Sequence, residues 1–215
     1  MILSMETSSV ICGVSLHENE ECIAEVYLKE PRVHAERLVG LVGKLFEEQK
    51  IRVQRLSAVV VSAGPGSFTG LRIGMSFAKG LVYPHQIPLA GVNTMKAYMA
   101  GTIENADRSK NPLWVIRSHK DYIYMAELKD PIDEIKIQYG QIKDINDWYP
   151  HCAQIVCNDK LEEISNIPVI EKDILPSMIG NYYIRHVNES AVTDYDSLVL
   201  EYGMDYKPKE WKPGS

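Results

Sequence analysis

Short apolar stretches broken by polar turns fill the first thirty positions. Met1 to Met5 reads as a strand ended by Glu6-Thr7-Ser8-Ser9. Val10 to His17 reads as a second strand, and Cys22 to Leu28 as a third after the turn Glu18-Asn19-Glu20. Three strands so tightly linked form an antiparallel meander. The period then changes. Leu38, Leu41, Val42, Leu45 and Phe46 fall at i, i+3, i+4, i+7 and i+8 within a helix predicted over Val33 to Lys50. Gly40 and Gly43 sit inside it at a cost of about 1 kcal/mol each relative to Ala, which suggests a close packing partner. The β-branched run Leu56 to Val61 predicts a buried strand, and Phe68 to about Val82 a second helix.

Between that strand and helix lies Ser62-Ala63-Gly64-Pro65-Gly66-Ser67-Phe68-Thr69-Gly70-Leu71-Arg72-Ile73-Gly74. Gly64 and Gly66 permit backbone angles or approaches that a Cβ forbids, and Pro65 stiffens the turn. Ser67 or Thr69 is placed to cap the helix. Gly70, Gly74 and Ala78 then recur every four residues, so a stripe of small residues lets another backbone come near. Free amides at a helix start also suit an anion. However, no Lys-Ser/Thr pair follows the glycines and no G-x-G-x-x-G occupies the turn, so the packing reading is preferred.

Farther on, Leu89 to Val92 is a short strand, Asn93 or Thr94 caps a helix to about Ile103, and Glu104 to Asn111 is a polar hinge. Leu113–Ile116, Tyr122–Leu128 and Ile132–Ile142 read as strands, with Ser118 to Asp121 a turn. Ile155–Cys157 and Pro168–Ile170 read as two more strands, Leu175 to Val187 as a helix, and Asp194 to Ser215 as an extended tail lying on the body. The order β-β-β-α-β-α, with a weaker second copy, is that of a ribonuclease-H-like half domain. Two such halves make the α/β actin-like (ASKHA) architecture, mixed sheets covered by helices. The expected division is residues 1–104, carrying the two glycine-marked helices, and a smaller second subdomain with its tail over 105–215.

Composition is that of an ordinary globular chain, 45% hydrophobic and 24% charged over 215 residues. No apolar run is long enough to span a membrane, and the N-terminus lacks a basic leader, which predicts a cytoplasmic protein. Residues 1–105 balance ten basic against ten acidic groups, so the net charge of −6 lies in the remainder. A chain so charged does not grip a nucleic-acid backbone unaided. Cys12, Cys22, Cys152 and Cys157 lack C-x-x-C spacing and are expected to be buried, reduced thiols without metal.

At Ile2-Leu3-Ser4-Met5-Glu6-Thr7-Ser8, His34, the Gly64–Gly74 stretch and Gly91-Val92-Asn93-Thr94-Met95, the chain resembles the bacterial TsaB (YeaZ) family. The resemblance covers the first hundred residues well and the rest loosely. It implies a non-catalytic subunit that pairs with a related catalytic subunit, TsaD, in forming threonylcarbamoyladenosine beside the tRNA anticodon. It further implies contact with the ATPase TsaE, homodimers through the same face, and tRNA contact only through the complex. Pairing is expected through the N-terminal helices. That makes His34, Leu38, Leu41, Val42, Leu45, Gly70, Arg72, Gly74 and Ala78 the candidate partner surface.

Glu6, Thr7, Ser8, Gly64, Gly66 and Ser67 are candidates for a position near a nucleotide, with ATP or ADP and magnesium at a junction with the partner. Glu6 has the chemistry of a magnesium-proximal acid, but Thr7-Ser8-Ser9 offers no glycine for phosphate approach. Only four of the fourteen glycines follow residue 102. The nucleotide site is therefore read as degenerate and Glu6 as a structural hydrogen-bonding acid. His34 has no second histidine four residues away, so it reads as a surface, cap or interface residue. Arg72 either reaches a partner or covers apolar surface with its stem. The alternatives are an independent ATP-dependent phosphotransferase or a glycoprotease-like peptidase, although Ser67 lacks the G-x-S-x-G setting. The small-residue stripe predicts that Gly74→Leu abolishes pairing with the fold intact.

Overall fold

The structure is a computed structural model describing residues 1–161, 166–187 and 190–202. β1 (Ile2–Glu6), β2 (Ile11–Glu18) and β3 (Glu21–Lys29) form the expected meander, followed by α1 (His34–Glu48), β4 (Ala58–Gly64), α2 (Phe68–Val82), β5 (Leu89–Asn93) and α3 (Thr94–Thr102). The second half contributes β6 (Leu113–Arg117), β7 (Tyr122–Glu127), β8 (Gln138–Gln141), α4 (Ile145–Trp148), β9 (Ile155–Cys157), β10 (Val169–Glu171) and α5 (Pro176–Tyr182). A π-helical turn continues α5 through Tyr183–Val187, so together they fill the predicted helix.

The two sheets share one plan. Their orders are β3-β2-β1-β4-β5 and β10-β9-β6-β7-β8. In each, the first strand is antiparallel to the second and parallel to the fourth. The second copy is reduced. Four-residue α4 stands where the first half has fifteen-residue α1. The predicted strand over Ile132 to Ile142 shrinks to Gln138–Gln141, because Ile132 opens a 3-10 turn behind Pro131 and Ile132, Ile135 and Ile137 pack into the interior instead of pairing.

Strand periodicity explains the layering. Leu3, Met5, Val59 and Val61 face α1 and α2, packing with Leu38, Leu45, Ala78 and Val82. The alternate residues Ala58, Val60, Ala90 and Val92 face α3 and α5, where they meet Trp114, Ile116 and Tyr124 of the second sheet. Sheet one is thus buried on both faces, as its continuous apolar β4 requires. Leu113, Val115, Ile123 and Met125 face outward onto Ile142, Ile145 and Tyr149 around α4.

α5 comes from the far end of the sequence yet packs on β1, β2 and β3. It covers a polar strip. Ser4 Oγ donates to the Pro176 carbonyl at 2.7 Å, Ser15 Oγ lies 2.9 Å from His17 Nε2, and Gly180 lies directly over the His17 ring. Buried aromatics find partners too: Trp114 Nε1 donates to Thr102 Oγ1 at 2.9 Å and Tyr98 Oη to the Lys172 carbonyl at 2.9 Å. All four cysteines are free, but Cys22 is exposed at the edge strand and Cys152 only half-buried, so the expectation of uniformly buried thiols fails there.

The helical glycines divide into two kinds. A methyl at Gly74 would collide with Thr7 Oγ1 and one at Gly70 with the Thr7 carbonyl, whereas Gly40 and Gly43 have nothing within 4 Å. Gly74→Leu is therefore expected to destabilise the fold by about 3 kcal/mol through overpacking. Gly43→Ala is expected to stabilise it by ~0.5–1 kcal/mol through helix propensity. Urea unfolding midpoints of the two variants check both signs.

Candidate functional site

Strand β1 ends in a turn, Thr7 to Val10, and β4 ends in the glycine turn; the two are stitched together. Ser67 N donates to the Ser8 carbonyl at 2.7 Å, and Thr7 N donates to Ser62 Oγ at 3.3 Å. Gly64 has φ +112°, a conformation only glycine adopts readily, and its amide donates to Thr94 Oγ1 at 3.1 Å. Ser67 caps α2 by accepting from Gly70 N at 3.3 Å, and Asn93 caps α3 by accepting from Lys96 N at 3.0 Å. The glycines thus let the first turn of α2 settle into the Thr7–Ser8 turn.

Across from these turns stand the β6–β7 turn and the residues after β9. Together they enclose a cleft of about 700 Å³ whose walls include Ser8, His34, Ser67, Thr69, Arg117 and Asn158. Arg117 is held in place: its Nη1 donates to the Lys160 carbonyl at 2.6 Å, and its backbone amide donates to Asn158 Oδ1 at 2.8 Å.

Glu6 is fully buried and turned away from this cleft. Its Oε1 accepts from Ser8 N at 2.6 Å and from Ser8 Oγ, while Oε2 has no partner. Burial pushes its pKa up to about 7, against the lowering effect of the Ser8 bonds. Of the candidate nucleotide residues, Ser8 and Ser67 line the cleft, whereas Glu6, Gly64 and Gly66 are closed off by this chain's own atoms. Glu6 does not reach the cleft, Gly66 is covered by Ser8, and Gly64 is covered by the Glu201 carbonyl. Among the described residues no group of three or more His, Cys, Asp and Glu could hold a metal ion.

The candidate partner residues separate sharply. Leu38, Leu41, Val42, Leu45 and Ala78 lie in the first core cluster, and Gly70 and Gly74 are filled by Thr7 of the same chain. That corrects the reading of the stripe as a seam for a second subunit: the neighbour it admits is this chain's own β1–β2 turn. His34 is also buried, its Nε2 donating to the Ile11 carbonyl at 3.0 Å, which ties the start of α1 to β2. Arg72 remains on the surface, its guanidinium 3.8 Å from the Phe68 ring centre and its Nε donating to Tyr202 Oη at 3.0 Å.

An apolar face nevertheless stays open on the outer helices. Val39 of α1 is 59% exposed, Gly40, Gly43 and Gly80 face open space, and Ile73, Phe77 and Leu81 of α2 are half-buried. Sequence reasoning singled out Gly40 and Gly43 of this face but placed the partner residues on the buried stripe of α1 and the small residues of α2, and so missed Val39. The signal was available in Val39, an apolar residue outside the helical stripe. Also missed was the Ser4–Ser15–His17 strip, marked by polar residues at alternate positions of two core strands.

Two mixed sheets of one shared plan, packed together through α3 and α5 and leaving a cleft between the turns at their strand ends, define the two-lobed α/β class of the actin type. A family model described as TsaD, tRNA N6-adenosine threonylcarbamoyltransferase, matches residues 23–142, over half of the chain. The tRNA threonylcarbamoyladenosine biosynthesis protein TsaB of Bacillus subtilis is 30% identical over 147 residues, covering 68% of this chain and 63% of that one. That of Escherichia coli is 29% identical over 140 residues, covering 65% and 59%. The aligned region thus spans about three fifths of these relatives' length. A solved structure of YeaZ from Pseudomonas aeruginosa superposes with a TM-score of 0.69 at 20% identity, covering 94% of this chain and 98% of that one, and so shares the fold. The chain belongs to this family, in its TsaB (YeaZ) branch. No helix among the described residues is long and apolar enough to cross a membrane.

The pKa of Glu6 carries a testable sign. Between about 4.5 and 7 the folded chain holds a proton that the unfolded chain has released, so Glu6 lowers stability as pH rises through that window. His17, pushed down to about 4 by burial, acts oppositely: the folded chain resists the proton that the unfolded chain binds below 6.5. Glu6→Gln is expected to gain stability relative to the parent as pH rises from 4.5 to 8, by up to ~3 kcal/mol. Urea midpoints at pH 5 and pH 8 measure the difference, and equal offsets at both would refute it.

Proposed function

We propose that this chain is an accessory, non-catalytic subunit in the formation of threonylcarbamoyladenosine on tRNA, docking a TsaD-type catalytic subunit through the outer faces of α1 and α2. The observation that carries the docking is the open apolar face at Val39, Gly40 and Gly43, on a helix whose other side is committed to the core. Glycines with nothing opposite them weaken an isolated helix, and a surface helix free of partners gains from losing them. A second helix pair laid against this face brings backbones close while burying Val39. The relatives named for this biosynthesis, and the match of residues 23–142 to a model of the transferase itself, support a partner of the same architecture.

In this reading the magnesium nucleotide belongs to the catalytic partner, because the acid and glycines of this chain are closed off by its own atoms. The positive surface for tRNA comes from that partner too, since the chain carries net charge −6. A TsaE-type ATPase joins the pair, and self-association uses the same face when the partner is absent.

Both Val39→Glu and Gly43→Arg place a charge into open space, so both variants fold, the first with an unfolding midpoint near the parent's and the second with one no lower than the parent's, since Arg favours helix over Gly. Each is expected to weaken binding of the TsaD-type subunit from the same cell at least tenfold, read by co-elution and titration calorimetry. Undiminished affinity in both variants would remove α1 as the docking element.

A further inference from the structure

After α5 the chain returns to the first lobe and runs along it. Val192 and Leu89 exchange backbone hydrogen bonds of 2.9 Å each way, and Tyr195 Oη donates to the Ile87 carbonyl at 2.9 Å. Lys79 Nζ donates to the Leu198 carbonyl at 3.4 Å, and Leu198 and Leu200 pack on the first core cluster. Glu201 N donates to the Ala63 carbonyl at 2.7 Å, while its Oε2 accepts from Asn93 Nδ2 at 2.6 Å. Up to Glu201 every one of these bonds is to the first lobe.

Tyr202 differs. Its ring lies 4.7 Å from that of Phe68 and its hydroxyl accepts from Arg72, both on α2. Its carbonyl accepts from Tyr124 Oη at 2.8 Å, on β7 of the opposite lobe. It lines a 400 Å³ cavity between the glycine turn and the β6–β7 turn at Ser118 and His119, beside the main cleft and sharing Ser67, Thr69 and Ser118 with it.

We propose that Tyr202 is a clasp that fixes the separation of the two lobes at the mouth of the cleft. The α3–α5 layer joins the lobes along their sheet faces, which leaves the turns at the cleft free to part. Tyr202 ties those turns: it is anchored through Glu201 to β4, gripped by Phe68 and Arg72, and bonded to Tyr124. Releasing it opens the cleft without disturbing either sheet. This inference is independent of which partner α1 docks.

Hydrogen exchange on the full chain tests it, comparing the parent with Tyr202→Ala, Tyr202→Phe and Tyr124→Phe. The amides of Ser67, Ser118 and Tyr122 report on the turns, because each donates to a backbone carbonyl. Tyr202→Ala and Tyr124→Phe are expected to speed exchange at these turns in both lobes about tenfold, with β1, β4 and β6 unchanged. Tyr202→Phe, which keeps the ring against Phe68 and loses only the hydroxyl that accepts from Arg72, is expected to have a smaller effect. Acceleration confined to residues 198–202 would overturn the clasp. So would acceleration spread evenly into the central strands, which marks a merely structural loss.

Discussion

The approach of α2 to the end of β1 is the contact on which the first lobe is arranged. Thr7 sits in the notch left by Gly70 and Gly74, so the helix lies closer to the strand end than any side chain would allow. With α2 so placed, its first turn meets Ser8, its Ala78 and Val82 meet β1 and β4, and the glycine turn must reverse within four residues. The same seating closes Gly66 and leaves Glu6 beneath the turn with one oxygen unpaired. A motif that looks made for a ligand is here occupied by the protein itself.

What the sequence disclosed follows from the range of the forces involved. Strand alternation, the α1 stripe and the caps at Ser67 and Asn93 are local, and each stands where its pattern placed it. The repeated sheet order was readable from the succession of elements. The second copy was less so: Ile132, Ile135 and Ile137 look alike as strand or as buried turn, and only the Trp114 side of the core decides between them. Tyr206 and Trp211 of the expected tail lie outside the described residues, while its first part does lie on the body.

The site was legible in its parts and not in its partners. The stripe Gly70–Gly74–Ala78 announced a close neighbour correctly, but nothing in the spacing tells a neighbour within the chain from one outside it. Thr7, sixty residues earlier, has no feature that marks it as that neighbour. The same limit hid Arg72, whose contact is the distant Tyr202, and α5, whose Gly180 over His17 joins positions far apart in the sequence.

The placement of α5 bears on the order in which the chain becomes a protein. The inner face of the first sheet is covered by a helix translated some eighty residues after the last strand of that sheet has emerged. Until then α3 shields part of β4 and β5, but the side of β1, β2 and β3 that carries the Ser4–His17 strip lies open to water. The leading half therefore leaves the ribosome as an unfinished layer, reliant on chaperones or on speed, and is sealed only when the closing helix arrives.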